Sequence, residues 1–134
     1  MDFIANIDVA DLEEGIRFYQ AAFRLRVGRR FATYGVEMLG GPVPIYLLAK
    51  DAGTLASDVT AQVRCYDRHW TPVHLDFIVT DIESAVRDAL AAGARLEAAI
   101  SATKWGKLAV MADPFGHGFC FIEFLGRGYD EIAD

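Results

Sequence analysis

A chain of 134 residues, 53% hydrophobic and 24% charged, is long enough to bury one real core, too short for two full-sized domains, and not disordered. Its net charge of −6 argues against a nucleic-acid or anionic-membrane partner, because phosphate backbones and acidic lipids would repel it. The two cysteines, Cys65 and Cys120, build no disulfide framework, no apolar run is long enough for a bilayer, and no signal-peptide pattern opens the chain, so a cytoplasmic protein is expected.

In chain order, residues 3–9 alternate, with Phe3, Ala5, Ile7 and Val9 on one side and Ile4, Asn6 and Asp8 on the other, which is strand spacing. Asp11 is placed as a helix N-cap with Glu14 completing a capping box, and Leu12, Ile16, Tyr19 and Phe23 follow at helical spacing. Strands are predicted near 25–31, 36–39 and 45–49, separated by Gly35 and by Gly40-Gly41-Pro42. The basic residues Arg24, Arg26, Arg29 and Arg30 cluster on this first strand, a pattern that suits a solvated edge.

The second half repeats the order. Residues 73–79 read as a strand, Asp81 as an N-cap, and Ile82, Ala85, Val86, Ala89 and Leu90 as a helical stripe stopped by Gly93. Strands are predicted near 95–101, 107–112 and 119–125. A shift of 70 positions lays Val9-x-Asp11-x-Glu13 on Val79-x-Asp81-x-Glu83 and Arg17 on Arg87, so the chain reads as a duplication. Module one occupies about 1–50, module two about 71–134, and about 51–70 forms a less regular linker, long enough to act as a lid. The last strand is fed by the turn Asp113-Pro114-Phe115-Gly116-His117-Gly118, in which both glycines allow positive φ and His117 is expected at the surface. Alternation puts Cys120 on one face of that strand and Glu123 on the other, helix-covered one.

Taken together, Val9-x-Asp11 with Phe18-Tyr19, His74-Leu75-x-Phe77-x-Val79-x-Asp81, Trp105-Gly106 and the Asp113-Pro114-x-Gly116 turn resemble the vicinal oxygen chelate superfamily, which holds glyoxalase I, bleomycin and fosfomycin resistance proteins and extradiol dioxygenases. The resemblance implies an α+β fold of two βαβββ modules around a U-shaped cleft, in a homodimer. Enzymes of that superfamily hold a divalent metal through His and Glu ligands from four cleft strands. The matching positions here are Ile4, the neighbourhood of Tyr46, His74 and Cys120. One imidazole and one thiol make a poor version of that site, so the resemblance implies a metal-free member with no cofactor.

The ligand-binding candidates are therefore His74, Cys120, Tyr46, Trp105 and Ile4. His74 can donate a hydrogen bond or act as an acid or base, and is the one catalytic candidate. It can equally be a relic bonded to a neighbour. Cys120 is a nucleophile if His74 lowers its pKa, and otherwise a small side chain lining an apolar pocket. Tyr46 and Trp105 suit stacking on a planar ligand, with Tyr34 at the rim and His69-Trp70 in the linker as further possibilities. Three functions stay open: a binding protein for a small aromatic or antibiotic-like molecule, a lyase, isomerase or dioxygenase with an altered or metal-free site using His74, and a scaffold domain.

Overall fold

Both helices begin at an aspartate, as a computed structural model covering all of residues 1–134 shows. Asp11 accepts the backbone N–H of Glu14 at 2.8 Å, and helix α1 runs Leu12–Phe23. Asp81 accepts the N–H of Ser84 at 3.0 Å ahead of α2, Ile82–Ala92. Each carboxylate satisfies a donor that has no partner within its helix and places negative charge at the positive end of the helix dipole. Helix α2 stops at Gly93, whose φ of 112° would strain any residue with a Cβ.

The chain divides into two compact units, Met1–Asp67 and Arg68–Asp134. In the first, β1 (Ala5–Val9), β2 (Arg26–Phe31), β3 (Gly35–Leu39) and β4 (Ile45–Ala49) form a sheet in the order β1-β4-β3-β2. Strand β1 runs parallel to β4, and the other pairs are antiparallel. In the second, β5 (Leu75–Ile78), β6 (Arg95–Leu96), β7 (Ser101–Ala102), β8 (Gly106–Ala112) and β9 (Gly118–Phe124) take the order β5-β9-β8-β6, with β7 also on β8. Strand β5 is parallel to β9. The sequence repeat is thus a repeat of topology, βαβββ in unit one and the same order in unit two with its second strand split into β6 and β7.

Three boundaries differ from the sequence expectation. Strands β1 and β5 start two residues late, because a strand begins only where its partner does: Ala5 pairs with Ile45 and Leu75 with Phe119. Ile4 and His74 therefore occupy the same place in the two units, one residue ahead of the strand. The single strand expected over 95–101 is broken into β6, opposite Ala112 and Met111, and β7, opposite Leu108 and Lys107. Leu90, assigned to the buried stripe of α2, is 45% exposed.

In unit one the helix-facing side of the sheet is Val9, Val36, Met38, Ile45 and Leu47, all buried, under Leu12, Ile16 and Tyr19 of α1. Gly15 lets the helix ride close, since a Cβ there would stand 3.2 Å from Val9 Cγ1 and 3.4 Å from Leu47 Cδ1. In unit two, Ile82, Val86 and Ala89 of α2 are buried with Ala109, Met111, Phe119 and Phe121. Phe77, Phe119 and Phe121 meet edge to face at centroid distances of 6.0, 6.3 and 5.4 Å.

Residues 51–67 are held onto unit one through Arg64. Its Nε donates to Asp8 Oδ2 at 2.6 Å, and its other nitrogens donate to the carbonyls of Leu55 and Ala56. No helix is long and apolar enough to cross a membrane.

Candidate functional site

The two sheet faces turned away from the helices carry the polar side chains that are interesting chemically, and the two differ. In unit two, Glu123 marks the helix side, accepting the N–H of Ile82 at 2.8 Å, so the alternation around it is as the sequence implies. Cys120 then lies on the opposite face, in register with Asp76 of β5 and Val110 of β8. His74, two residues before Asp76, shares that face, and its Nε2 stands 3.1 Å from Asp76 Oδ1.

A concavity of about 260 Å³ opens here. Val110 and Cys120 make its apolar wall, His74 and Thr71 its polar side, and Trp70, 80% exposed, its rim, with Arg68, Gly118 and Phe119 completing the lining. The segment 68–70 is held in place at both of its first residues. Arg68 donates to Glu97 through Nε and, at 3.0 Å, through Nη2, and also to the carbonyls of His69 and Gly116. His69 donates its N–H to Gly116 O at 3.1 Å, and its Nε2 lies 2.9 Å from His117 Nδ1. His117 is therefore half-buried and paired, not at the surface as its turn position suggests.

The turn that feeds β9 is built on Asp113, 1% exposed, whose Oδ1 accepts the N–H groups of Phe115 and His117, each at 2.9 Å. Gly116 takes φ 81°, as expected. Gly118 is not at positive φ, and its lack of a side chain serves another purpose. A Cβ there would meet Arg68 Nη2 at 2.8 Å, so the glycine makes room for the guanidinium that crosses it.

The thiol of Cys120 is pushed up to about 11, first by burial, then by the negative charge of Asp76 and a hydrogen bond to it. At neutral pH it is a neutral thiol lining the pocket, the opposite of what a nucleophile requires. Asp76 is the residue that sequence reasoning overlooked. The signal was present, since His74-Leu75-Asp76 puts an imidazole and a carboxylate at i and i+2 of one strand, hence on one face. The ligand atoms of His74, Asp76 and Cys120 all lie within 4.8 Å of one another.

In unit one the equivalent face is closed on itself. Glu37 of β3 pairs with Tyr46 of β4 in the register, and its side chain is only 8% exposed. Arg29 reaches it with two side-chain bonds, Nη2 to Oε1 at 2.7 Å and Nε to Oε2 at 3.1 Å, and adds its backbone N–H at 3.1 Å. Tyr46 donates to Oε1 at 2.9 Å and accepts from Arg29 Nη2 at 2.7 Å. The guanidinium bonds, ahead of every other cause, hold the Glu37 carboxyl down at about 2. A bulge between Val27 and Arg30 aims Arg29 at this carboxylate, and Gly28 gives it room, since a Cβ there would stand 2.5 Å from Glu37 Oε2. Tyr46 also stacks on Phe31 at 5.7 Å, and Phe31 on Tyr34 at 6.5 Å.

Of the other sequence candidates, Ile4 is half-exposed ahead of β1 in unit one. Trp105 packs against Phe124 and Tyr129 at 6.3 and 5.0 Å, apart from the lining of this pocket. A second acidic group, Asp81, Glu83 and Glu123, is accounted for by the α2 N-terminus and by Lys107, 2.9 Å from Glu83.

The four-ligand metal centre implied by the resemblance does not fit these residues. Its first two positions fall on Ile4, which has no ligand atom, and on Tyr46, whose hydroxyl is already engaged on both sides by Arg29 and Glu37. Glu37 itself has both carboxylate oxygens occupied by Arg29 and Tyr46.

Solved structures share the fold. A glyoxalase/bleomycin resistance protein/dioxygenase family enzyme from Burkholderia phytofirmans PsJN matches with a TM-score of 0.70 at 23% identity, covering 91% of this chain and 97% of its own. The genomically encoded fosfomycin resistance protein FosX from Listeria monocytogenes gives 0.70 at 15%, covering 92% of each chain. Lactoylglutathione lyase from Agrobacterium tumefaciens gives 0.63 at 15%, again covering 92% of each. No curated protein matches the sequence. The model of the Glyoxalase-like domain family matches residues 5–122, nearly the whole duplicated fold, and the chain belongs to that family.

Proposed function

We propose that this chain is a binding protein for a small aromatic or antibiotic-like molecule, taken up in the pocket of unit two without the family's four-ligand metal centre. One observation carries this reading: the concavity combines an apolar wall of Val110 and Cys120 with an exposed indole, Trp70, and a single exposed imidazole, His74. Such a site offers stacking, area burial and one orienting hydrogen bond. Cys120 contributes as lining, because its thiol stays protonated. The names of structural neighbours, fosfomycin resistance and glyoxalase/bleomycin resistance proteins, agree with a fold used to hold small organic compounds. In the same reading the protein is a cytoplasmic homodimer, and sedimentation at twice 14.8 kDa is the expected mass.

The test is a thermal-shift screen of planar aromatic compounds, followed by equilibrium titration of hits using tryptophan fluorescence. A ligand at about 100 times its Kd is expected to stabilise the protein by about 2.7 kcal/mol. Trp70→Ala is expected to weaken binding about tenfold, in line with losing one stacking contact. Conversion of the bound compound to a product, or binding unaffected by Trp70→Ala, would overturn the proposal.

A further inference from the structure

We infer that His69 and His117 form a proton-operated latch on the strap that presents Trp70 to the pocket: closed while at least one imidazole is neutral, open when both are protonated. The consequence for binding rests on the pocket reading above, whereas the latch itself does not. Residues 68–74 form neither helix nor strand, so Trp70 is placed by side-chain ties and not by a sheet. Two clasps hold this strap to the rest of unit two. Arg68 grips Glu97 through Nε and, at 3.0 Å, Nη2, while its Nη1 reaches Gly116 O at 3.4 Å and its guanidinium crosses Gly118. His69 donates its N–H to Gly116 O at 3.1 Å, and its Nε2 stands 2.9 Å from His117 Nδ1, the two rings meeting edge to face at 4.8 Å. His69 directly precedes Trp70, so the second clasp governs the indole.

The two clasps respond differently to acid. Arg68 keeps its charge at any accessible pH, and its guanidinium holds the Glu97 carboxyl below its ordinary value, so that pair survives mild acid. A bond between two imidazoles has a narrower condition, one N–H facing one lone pair. Two neutral rings satisfy it, and a first added proton turns it into a charge-assisted bond. A second proton leaves two N–H donors and two positive charges face to face, and the contact opens. The charged groups bonded to this strap and turn are Arg68, Glu97 just after β6, and Asp113, whose Oδ1 accepts the His117 N–H at 2.9 Å. Arg68 and Glu97 neutralise each other, which leaves the one carboxylate of Asp113 to balance a single extra proton on the pair and not two. Opening the latch frees the indole at the rim, and the pocket loses a stacking contact.

The test follows Trp70 itself and needs no organic ligand. The chain has two tryptophans, so in full-length Trp105→Phe protein all indole fluorescence comes from Trp70. Its anisotropy is read between about pH 8 and about pH 5, the range in which imidazoles change charge, with far-UV circular dichroism confirming the fold at each step. The anisotropy is expected to fall by about a third on the acid side, as a fixed side chain gains nanosecond loop motion. If Trp105→Phe does not fold, fluorine NMR of the otherwise unaltered chain carrying 5-fluorotryptophan resolves the two indoles and reads the same change. His69→Gln and His117→Gln, which cannot take the second proton, should each flatten the profile. His74→Gln should leave it in place, since that imidazole lines the pocket but does not tie the strap. A flat wild-type profile, a transition that survives His117→Gln, or one abolished by His74→Gln would overturn the latch. A latch that titrates in a chain binding none of the screened aromatic compounds would sink the pocket reading alone. Compounds that bind equally well at both ends of the pH range, beside a flat anisotropy, would sink the latch alone.

Discussion

The two sheet faces turned away from the helices are built from the same duplicated strand plan and treat their polar groups in opposite ways. In unit one Glu37, Arg29 and Tyr46 saturate each other's hydrogen-bonding atoms, and the result is a closed, charge-assisted cluster. In unit two His74, Asp76 and Cys120 come close without being used up, beside a concavity with an exposed tryptophan. A duplicated scaffold can thus assign structure to one copy and a binding surface to the other. The difference lies in three or four side chains, not in the backbone.

The largest effects test whether the open unit is simply the looser one. Phe18, on α1, is 2% exposed, and Phe121, on β9 in the second sheet, is 1% exposed. Phe18→Ala and Phe121→Ala are each expected to cost about 3–5 kcal/mol in urea unfolding, from lost transfer energy and the cavity left behind. If Phe121→Ala costs far less than Phe18→Ala, the openness of the second face reflects poor packing and not a different use of its polar groups.

Next in size is the closed cluster itself. Glu37→Gln keeps the shape but removes the charge that Arg29 engages three times, and Tm at pH 7 is expected to drop by several degrees. The pH dependence has a definite sign. The carboxyl of Glu37 is held at about 2, below its ordinary 4.5, so its stabilising contribution is fully present above pH 4.5 and is lost as pH falls toward 2. The wild type and Glu37→Gln should therefore converge in stability across that window, as thermal melts at successive pH values would show. A gap that is constant from pH 7 to pH 2 would assign the effect to packing instead.

Much of this architecture was legible in the chain. The two caps at Asp11 and Asp81, the 70-residue shift and the alternation around Cys120 all rest on local chemistry, which a sequence displays directly. What stayed hidden depends on partners far apart in sequence. Glu37 reads as a lone acid in an apolar strand until a bulge eight residues earlier delivers Arg29 to it. Gly118 reads as a turn glycine until Arg68, fifty residues away, is seen to cross it. Asp76 is different, because its alternation with His74 was on view. Its position lies outside the four ligand positions that the resemblance supplies.

The smallest stability effect is expected at His74, the residue proposed to orient the ligand, and this is what separates the two faces most sharply. The His74 side chain is 52% exposed, and its neighbour Asp76 is 39% exposed, so solvent screens their contact. His74→Ala should change unfolding stability by no more than about 0.5 kcal/mol, the range of surface substitutions away from caps and cores. The same variant should lose most of the affinity for the pocket's ligand, read by titration alongside the melt. A residue that can be removed without harming the fold, yet not without harming binding, is held in place by its use. Glu37 should show the reverse: its substitution lowers the melting temperature and leaves unit two's binding intact, because every group it touches is committed to the unit that contains it. If His74→Ala instead unfolds the protein as readily as Glu37→Gln, the His74–Asp76 contact is structural, and unit two has closed its face as unit one has.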